Sequence, residues 1–359
     1  MRAIRGSIII LLLALSISFG AATARADTYS WSNFQSDIPG VALHTDSNLV
    51  NPWGLAASSG GTLWVSDNGT GVSTLYRQDG SKVSLVVTIP PAARNKSGAN
   101  PTGTVFNNTP FFKVTKNGNS QPARFLFVSE DGSISGWNPQ VDPTNAIIAV
   151  DNGKNEDRNS SNENKNDSND DRKRAVYKGV ALGAANGHNF LYAANFHSGH
   201  VETYNEIFQP VNPNGFADPS LPAGYAPFGI RNLNGQIYVT YALQDAKRKD
   251  DVAGPGNGFV NVFDTSGNLI RRVVSNGKLN APWGLALVNG ELWVGNFGDG
   301  RINNYDPATG AFLETLSTAD GTPLEFDGLW DLLPLGSGVY FTAGIAGEAH
   351  GLFGLITED

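Results

Sequence analysis

The sequence contains no cysteine, a single methionine and fewer basic than acidic residues. Without cysteine, the chain can form neither a disulfide nor a thiolate metal site. Its 25 lysines and arginines against 33 acids give a formal net charge of −8 at pH 7. Nucleic acids and anionic membrane surfaces repel a protein of this sign, so we expect neither as a partner.

Long hydrophobic runs are scarce, and the one candidate stands at the start of the chain. Residues 8–19 are almost entirely apolar and follow two arginines. About a dozen apolar residues are too few to span a bilayer of roughly 30 Å. Small residues on both sides of Arg25 complete the pattern of a signal peptide over residues 1–26, cleaved before Asp27. We therefore expect a secreted or periplasmic protein whose mature chain has no membrane span.

Glycine and aromatic residues, in contrast, are frequent, and they recur in a repeated pattern. A glycine opens a short apolar strand six times, at Gly54, Gly103, Gly179, Gly229, Gly284 and Gly328. A second apolar strand follows each one, and most of these strands end in a polar turn. Six such units without helical periodicity predict an all-β, six-bladed β-propeller of four-stranded antiparallel blades. The first strand of each blade would line the central channel, where a missing side chain permits close approach.

The two ends of the chain predict how the ring closes. The last unit supplies only three strands and ends at residues 352–356, whereas residues 29–35 form an unassigned alternating segment. Pairing these segments would complete the sixth blade and leave no free edge strand. The sequence therefore predicts one domain over residues 27–359.

One stretch does not fit the repeat. Residues 151–174 contain no apolar side chain and are rich in asparagine and in charges of both signs. Such a segment cannot bury enough surface to offset the entropy of ordering it. We interpret it as a disordered insertion between blades 2 and 3; a calcium-binding loop is the alternative.

Strand direction predicts where a site would lie. In each blade, the loop entering the first strand and the loop joining the second and third strands lie on the same face of the ring. This face collects Glu348, the loop 244–251 and the candidate ligand-binding residues Asn51, Asp67, Asn68, Glu130, Asp131, Asn195, His197, Asn296, Asp299 and Asp327. Carboxylates and amides around a channel mouth can hold a hard cation or a polar ligand. Turns also require these residue types for backbone reasons alone.

Specific chemistry is harder to find on this face. Four residues near inner strand ends, Glu130, Asn195, Asn296 and Asp327, are candidates for a calcium site. The five histidines lack the spacing of a zinc site, and no Gly-x-Ser-x-Gly elbow marks a serine nucleophile.

Several segments carry a resemblance to a known family. These segments are His44–Gly54, Trp64–Gly71, Tyr241–Asp245, Asp250–Val260 and Gly295–Asn303. They resemble a family of bacterial secreted proteins first noticed with PEP-CTERM sorting systems, and they are similar to NHL-type propellers. The resemblance implies export and a propeller, but no reaction or ligand. The C-terminus lacks the apolar tail and basic cluster of anchored members.

Two functions lead at this point, and structural self-association is a third class. The first is a monomeric binding or scaffold module for a polar small molecule, a glycan or an extracellular protein. The second is a calcium-dependent hydrolase or lactonase of the gluconolactonase type, which shares the six-bladed fold. One fold hosts many functions, so the sequence alone does not decide whether the protein is an enzyme.

Overall fold

The computed structural model describes residues 27–93, 95, 98–153, 175–212 and 214–359. Every regular element within them is a β-strand. None of the described residues belongs to a helix that could cross a membrane. The predicted signal peptide over residues 1–26 lies outside the described residues, as does the predicted insertion from residue 154 onward.

The strands form six antiparallel blades, numbered here in chain order. The chain begins with β1 (Tyr29–Ser36) and β2 (His44–Thr45). Blade 1 then follows as β3 (Pro52–Ala57), β4 (Leu63–Asp67), β5 (Val72–Tyr76) and β6 (Lys82–Thr88). Blade 2 contains β7 (Pro101–Phe106), a separate hairpin of β8 (Lys113–Lys116) and β9 (Asn119–Pro122), then β10 (Phe125–Ser129), β11 (Ser133–Trp137) and β12 (Ile147–Asp151).

The second half of the ring continues in the same order. Blade 3 has β13 (Tyr177–Ala185), β14 (His188–Asn195), β15 (His200–Tyr204) and β16 (Pro210–Val211). Blade 4 has β17 (Tyr225–Leu233), β18 (Gln236–Leu243), β19 (Phe259–Phe263) and β20 (Leu269–Ser275). Blade 5 has β21 (Pro282–Val288), β22 (Glu291–Asn296), β23 (Ile302–Tyr305) and β24 (Phe312–Thr315). Blade 6 takes β25 (Leu329–Leu335), β26 (Gly338–Ala343) and β27 (Leu352–Glu358) from the end of the chain.

The fourth strand of blade 6 is β1, so the predicted closure is confirmed. β1 pairs antiparallel with β27 from Tyr29 opposite Glu358 to Ser36 opposite Leu352. The short β2 adds a parallel strand outside β1. Because the first and last strands share a sheet, the ring is held shut by backbone hydrogen bonds.

The inner strands β3, β7, β13, β17, β21 and β25 line the channel, and each contacts the inner strands of both neighbouring blades. In five of the six blades there is no room for a side chain at this radius. A Cβ atom on Gly54 would lie 2.6 Å from the carbonyl oxygen of Thr102 in blade 2, and one on Gly284 would lie 2.6 Å from that of Trp330 in blade 6. The predicted reason for the inner-strand glycines is thereby confirmed in blades 1 to 5.

Blade 6 departs from this pattern. Gly328 lies just before β25 with a φ of 64°, and a Cβ there would meet the carbonyl oxygen of Gly344 in its own blade. A Cβ on Gly284 would meet the Trp330 carbonyl and Leu332, the residues on either side of Asp331. Asp331 therefore occupies the inner-strand position that is glycine in the other blades. The prediction of Gly328 as the sixth inner-strand glycine was therefore wrong, because Gly328 serves a turn.

Large aromatic side chains fill the spaces between blades. Trp64 of blade 1 stacks on Phe125 of blade 2 with ring centroids 4.0 Å apart, and Tyr29 meets Trp293 of blade 5 edge-on at 5.3 Å. Successive side chains of a strand point to opposite faces of the blade, and each face packs on a neighbouring blade.

Two local features were not predicted. One is the β8–β9 hairpin, whose Val114 and Phe112 join the core of blades 2 and 3. The other is the structure of the first residues of the predicted insertion. Asp151 ends β12, and the Asn152 amide donates to the hydroxyl oxygens of Tyr177 and Tyr204, 2.8 Å from each. These contacts tie blade 2 to blade 3.

The close approach of the inner strands yields a stability prediction. We expect Gly54→Ala to lower the free energy of unfolding by about 3 kcal/mol, since the new methyl group must displace backbone atoms of blade 2. Gly60→Ala, an exposed position in the same blade with only a distant side-chain atom nearby, is the control and should change it by less than about 1 kcal/mol. Urea unfolding of both variants measures the difference; equal stabilities would contradict the crowded inner ring.

Candidate functional site

The upper face of the ring, defined as the face on which the inner strands begin, is closed by aromatic side chains. Trp53, Phe228, Trp283 and Trp330 lie on inner strands, and Phe196 and Phe297 come from loops that follow second strands. Trp330 stacks on Trp53 with ring centroids 3.4 Å apart and on Phe297 at 4.2 Å. We call these six residues the aromatic plug. It gives the upper mouth of the channel a dry, rigid floor.

A lysine is buried against this plug. Lys178 directly precedes Gly179, and its side chain is only 2% exposed. Its Nζ lies 5.0 Å from the centroid of the Trp53 ring and 2.5 Å from Oε1 of Glu130. Burial opposes both charges, but the ion pair outweighs it: the pKa of Lys178 is raised and that of Glu130 is lowered. Both groups are therefore charged at neutral pH.

Three further carboxylates surround the lysine and form, with Glu130, what we call the acidic rim. Asp250 Oδ1 lies 3.4 Å from Lys178 Nζ. Asp251 and Glu348 complete the set. The negative charge of Glu348 raises the pKa of Asp251, and the charges of Glu130 and Asp250 raise the pKa of Glu348. The rim thus carries four acids against the single buried lysine.

Local structure fixes the rim residues in place. Gln244 and Asp251 form a β-bridge, and the Asp245 carboxylate accepts the backbone N–H groups of Lys249 and Asp250, so the loop between them is closed on itself. Asn51 connects the rim to the plug. Its amide donates to Glu348 at 3.1 Å, and its oxygen accepts the Trp330 indole N–H at 3.0 Å.

Asp251 is the least satisfied group of the rim. Its Oδ2 is buried and has no hydrogen-bond partner among the described residues. Burial raises the pKa of Asp251 to about 6, although the charge of Lys178 acts in the opposite direction. Burial also raises the pKa of Glu348. The upper mouth therefore holds carboxylates whose ionisation near neutral pH costs folding free energy.

Some of the predicted site residues meet at this mouth. Asn51 lies between plug and rim, and Glu130 pairs with Lys178. Asn68 donates its amide to Glu130 Oε2 at 3.1 Å. His197 lies beside the loop, with Nδ1 3.3 Å from the carbonyl oxygen of Arg248.

Others are used inside their own blades. Asn195 and Asn296 each end a second strand and are wholly buried. Their amide oxygens accept the backbone N–H groups of Val176 and Asn280, which hold the segments entering the inner strands. In both loops the plug residue follows one position later. Side chains alternate along a chain, so neighbouring residues of these loops take different roles.

The four remaining predicted residues also make contacts within turns or blades. Asp67 is fully buried and accepts the Thr74 N–H, and burial raises its pKa well above the usual range. The other three accept a backbone N–H each; they are Asp131 from Ala92, Asp299 from Arg301 and Asp327 from Ala346. Nothing in these contacts points into the channel.

The same contacts bear on a metal. Among the described residues, no group of three or more histidine, aspartate and glutamate side chains could hold a metal ion. Glu130 is engaged by Lys178 and Asn68, while Asn195, Asn296 and Asp327 are engaged by backbone N–H groups. Calcium at these four residues stays a prediction.

Three charged residues inside the channel were not predicted as site residues from the sequence: Lys178, Arg231 and Asp331. Asp331 Oδ2 accepts the N–H of Leu55 in blade 1 at 2.7 Å, and Oδ1 lies 2.6 Å from Arg231 Nη2 of blade 4. The signal that could have revealed them is a charged residue within an inner strand, at a position that is glycine, aromatic or aliphatic in most other blades.

Comparison with known proteins places these features in context. No family model matches the chain. It is 31% identical to uncharacterized protein R648 of Acanthamoeba polyphaga mimivirus, covering 92% of this chain and 81% of that protein. It is 30% identical to uncharacterized protein L690 of the same virus, covering 89% and 83%. Virginiamycin B lyase from Staphylococcus aureus is a structural neighbour with a TM-score of 0.50 and 13% identity, covering 92% of this chain and 99% of the lyase. That likeness shows the six-bladed fold alone.

The buried ion pair under the rim yields a second prediction. We expect Lys178→Met to lower the free energy of unfolding by about 3–5 kcal/mol, because Glu130 is then buried without its counter-charge. The double variant K178M/E130Q removes both charges and should recover most of the loss. Arg301→Gln, which breaks an exposed pair with Glu325, is the control and should cost less than about 1 kcal/mol. A double variant no more stable than K178M would show that the pair is not the source of the effect.

Proposed function

The chain belongs to the same family as the mimivirus proteins R648 and L690, and we propose that it is a binding protein whose upper mouth takes an uncharged polyhydroxylated ligand, such as a glycan. The proposal rests on the aromatic plug and the acidic rim described above.

The observation that carries it is the unmet hydrogen-bonding capacity at this mouth. Asp251 Oδ2 is a buried acceptor, and the Trp53 indole N–H is a buried donor; neither has a partner among the described residues. The Lys178 ammonium acts on both residues: its charge opposes the rise in the pKa of Asp251, and its Nζ lies 5.0 Å from the centroid of the Trp53 ring. A hydroxyl group donates and accepts at once, so one ligand type can meet both needs.

Charge narrows the ligand class. The four acids of the rim exceed the two lysines that pair with them, Lys178 and Lys249, so an anionic sugar would be repelled. Buried polar atoms without partners reduce stability by about 1–3 kcal/mol each. Groups that cost stability are concentrated at functional sites, where a ligand satisfies them.

An acid–base hydrolase of the lactonase type is the second candidate. The observation in its favour is that the environments of two nearby carboxylates push their pKa values apart, lowering that of Glu130 and raising that of Asp251. Separated carboxyl pKa values are typical of acid–base pairs. Lactone hydrolysis that disappears in D251N would favour this candidate, and its loss on chelation would favour the calcium-dependent form.

Ligand binding is tested by melting temperature. We expect neutral oligosaccharides to raise the melting temperature of the protein, and the corresponding uronic acids not to do so. Asp251→Asn, which removes the unpaired carboxylate, should abolish the shift. Asp79→Asn, an exposed turn residue between β5 and β6 on the opposite face, is the matched control. A shift that D251N leaves intact, or that uronic acids produce equally, would contradict the proposed site.

The same variant has a defined pH dependence without ligand. The folded state holds the Asp251 proton up to about pH 6, whereas the unfolded chain releases it near 3.8. Stability of the wild type therefore falls relative to D251N as the pH rises through this window. At pH 4 the two should be nearly equal; at pH 7, D251N should be more stable by up to about 3 kcal/mol. Urea unfolding at both pH values measures the difference, and a constant difference would show that Asp251 is not the cause.

Export is part of the proposal. The apolar segment before Asp27 and the resemblance to exported bacterial propellers support it. N-terminal sequencing of the protein recovered outside the producing cytoplasm should begin at Asp27; an intact Met1 would contradict cleavage.

A further inference from the structure

The lower mouth of the channel, where the inner strands end, holds a cavity of a different character. Its volume is about 620 Å³, which lies in the range of small-molecule sites. All six inner strands or the turns that follow them contribute to its wall. Most of the lining side chains are aliphatic or aromatic, among them Leu55, Phe106, Leu182, Leu233, Leu287 and Leu333.

One layer of this wall contains a single charge. The residues two positions beyond the inner-strand glycines, and beyond Asp331 in blade 6, are Ala56, Val105, Ala181, Arg231, Ala286 and Leu333, and all but Ala286 line the cavity. Five are apolar and one is arginine. Among the described residues that line the cavity, Arg231 is the only charged one and none is acidic.

Arg231 has more donors than partners. A guanidinium carries five N–H groups, and the bond from Nη2 to Asp331 is the one side-chain hydrogen bond it makes among the described residues. About one fifth of its side chain is exposed, and the residue lines the cavity. The remaining donors are therefore available to a molecule in the channel.

Asp331 does not compete for those donors. Its Oδ2 accepts the Leu55 N–H, and its Oδ1 accepts the Leu332 N–H and the Arg231 guanidinium. The carboxylate is almost fully buried and fixed by the backbone of two blades. Arg231 is thus held at the base of the cavity with part of its hydrogen-bonding edge free.

We propose that this lower cavity binds a monocarboxylic acid with an apolar body, such as a medium-chain fatty acid, with its carboxylate on the guanidinium of Arg231. The arginine geometry suits a planar carboxylate, which it can hold through two parallel hydrogen bonds. The apolar wall receives the hydrocarbon chain, whose removal from water contributes about 0.8 kcal/mol per CH₂ group. This site is independent of the proposed glycan site, because it lies at the other mouth of the channel.

Titration calorimetry with decanoate, decanol and decylamine tests the proposal, at concentrations below those at which these compounds form micelles. The three share one hydrocarbon chain and differ in charge. We expect decanoate to bind, decanol to bind about tenfold more weakly or worse, and decylamine not to bind. Binding of decanol as tight as that of decanoate, or no binding of decanoate to the folded protein, would overturn it.

Variants locate the binding. R231Q/D331N removes both charges of the pair, and the asparagine amide nitrogen no longer accepts the Leu55 N–H. A cooperative urea unfolding curve checks that this variant is folded, and it should lose the preference for the acid over the alcohol. Val105→Phe reduces the volume of the cavity without changing the ion pair, and it should weaken the binding of both decanoate and decanol. Arg271→Gln, on the outer strand of the same blade as Arg231, is the matched control and should bind as the wild type does. Unchanged decanoate binding in both R231Q/D331N and V105F would place the ligand elsewhere and refute the proposal.

Discussion

The close approach of six inner strands around one channel is the constraint on which the rest of the structure depends. In five blades the solution is a glycine, because a single methyl group would collide with the backbone of the next blade. Blade 6 uses Asp331 instead, and its carboxylate takes the space to accept the Leu55 N–H of blade 1. The aspartate therefore bonds the last inner strand to the first, while β1 closes the ring at the outer edge of the same blade.

Placing a carboxylate in this ring has a consequence across the channel. An unpaired buried charge is far more costly than a paired one, so Asp331 requires a counter-charge, and Arg231 supplies it from two blades away. The pair lies between the aromatic plug above and the apolar cavity below. The channel is therefore divided into two compartments of different character, and the two ligands that we propose would not compete with one another.

The sequence predicts the repeated part of this design well and the singular part poorly. Six glycine-led strands and an unassigned N-terminal segment were sufficient to predict the ring and its closure. The site on the upper face stays a prediction. Asn195 and Asn296 of that prediction hold backbone inside their blades, and asparagine and aspartate in turns look alike in the sequence whether they serve the backbone or a ligand. Lys178 with Glu130 and Arg231 with Asp331 are far apart in the chain. Such pairs arise from the ring geometry: a charge within an inner strand marks Lys178, Arg231 and Asp331, but no local pattern identifies their partners.

The two buried ion pairs, Lys178 with Glu130 and Arg231 with Asp331, differ in the hydrogen-bonding groups that they leave without a partner. Glu130 and Lys178 satisfy one another, as Asp331 and the backbone of blade 1 do. Around the channel, the unsatisfied groups include an acceptor on Asp251, a donor on Trp53 and the free edge of Arg231. A fold selected for stability alone would replace these groups by apolar ones of similar shape, at little or no cost. Buried polar atoms without a partner among the described residues also occur within the blades, as on Thr74 and Trp293. The groups at the channel differ in lying beside the rim charges or the lower cavity, and we propose that ligands complete them there.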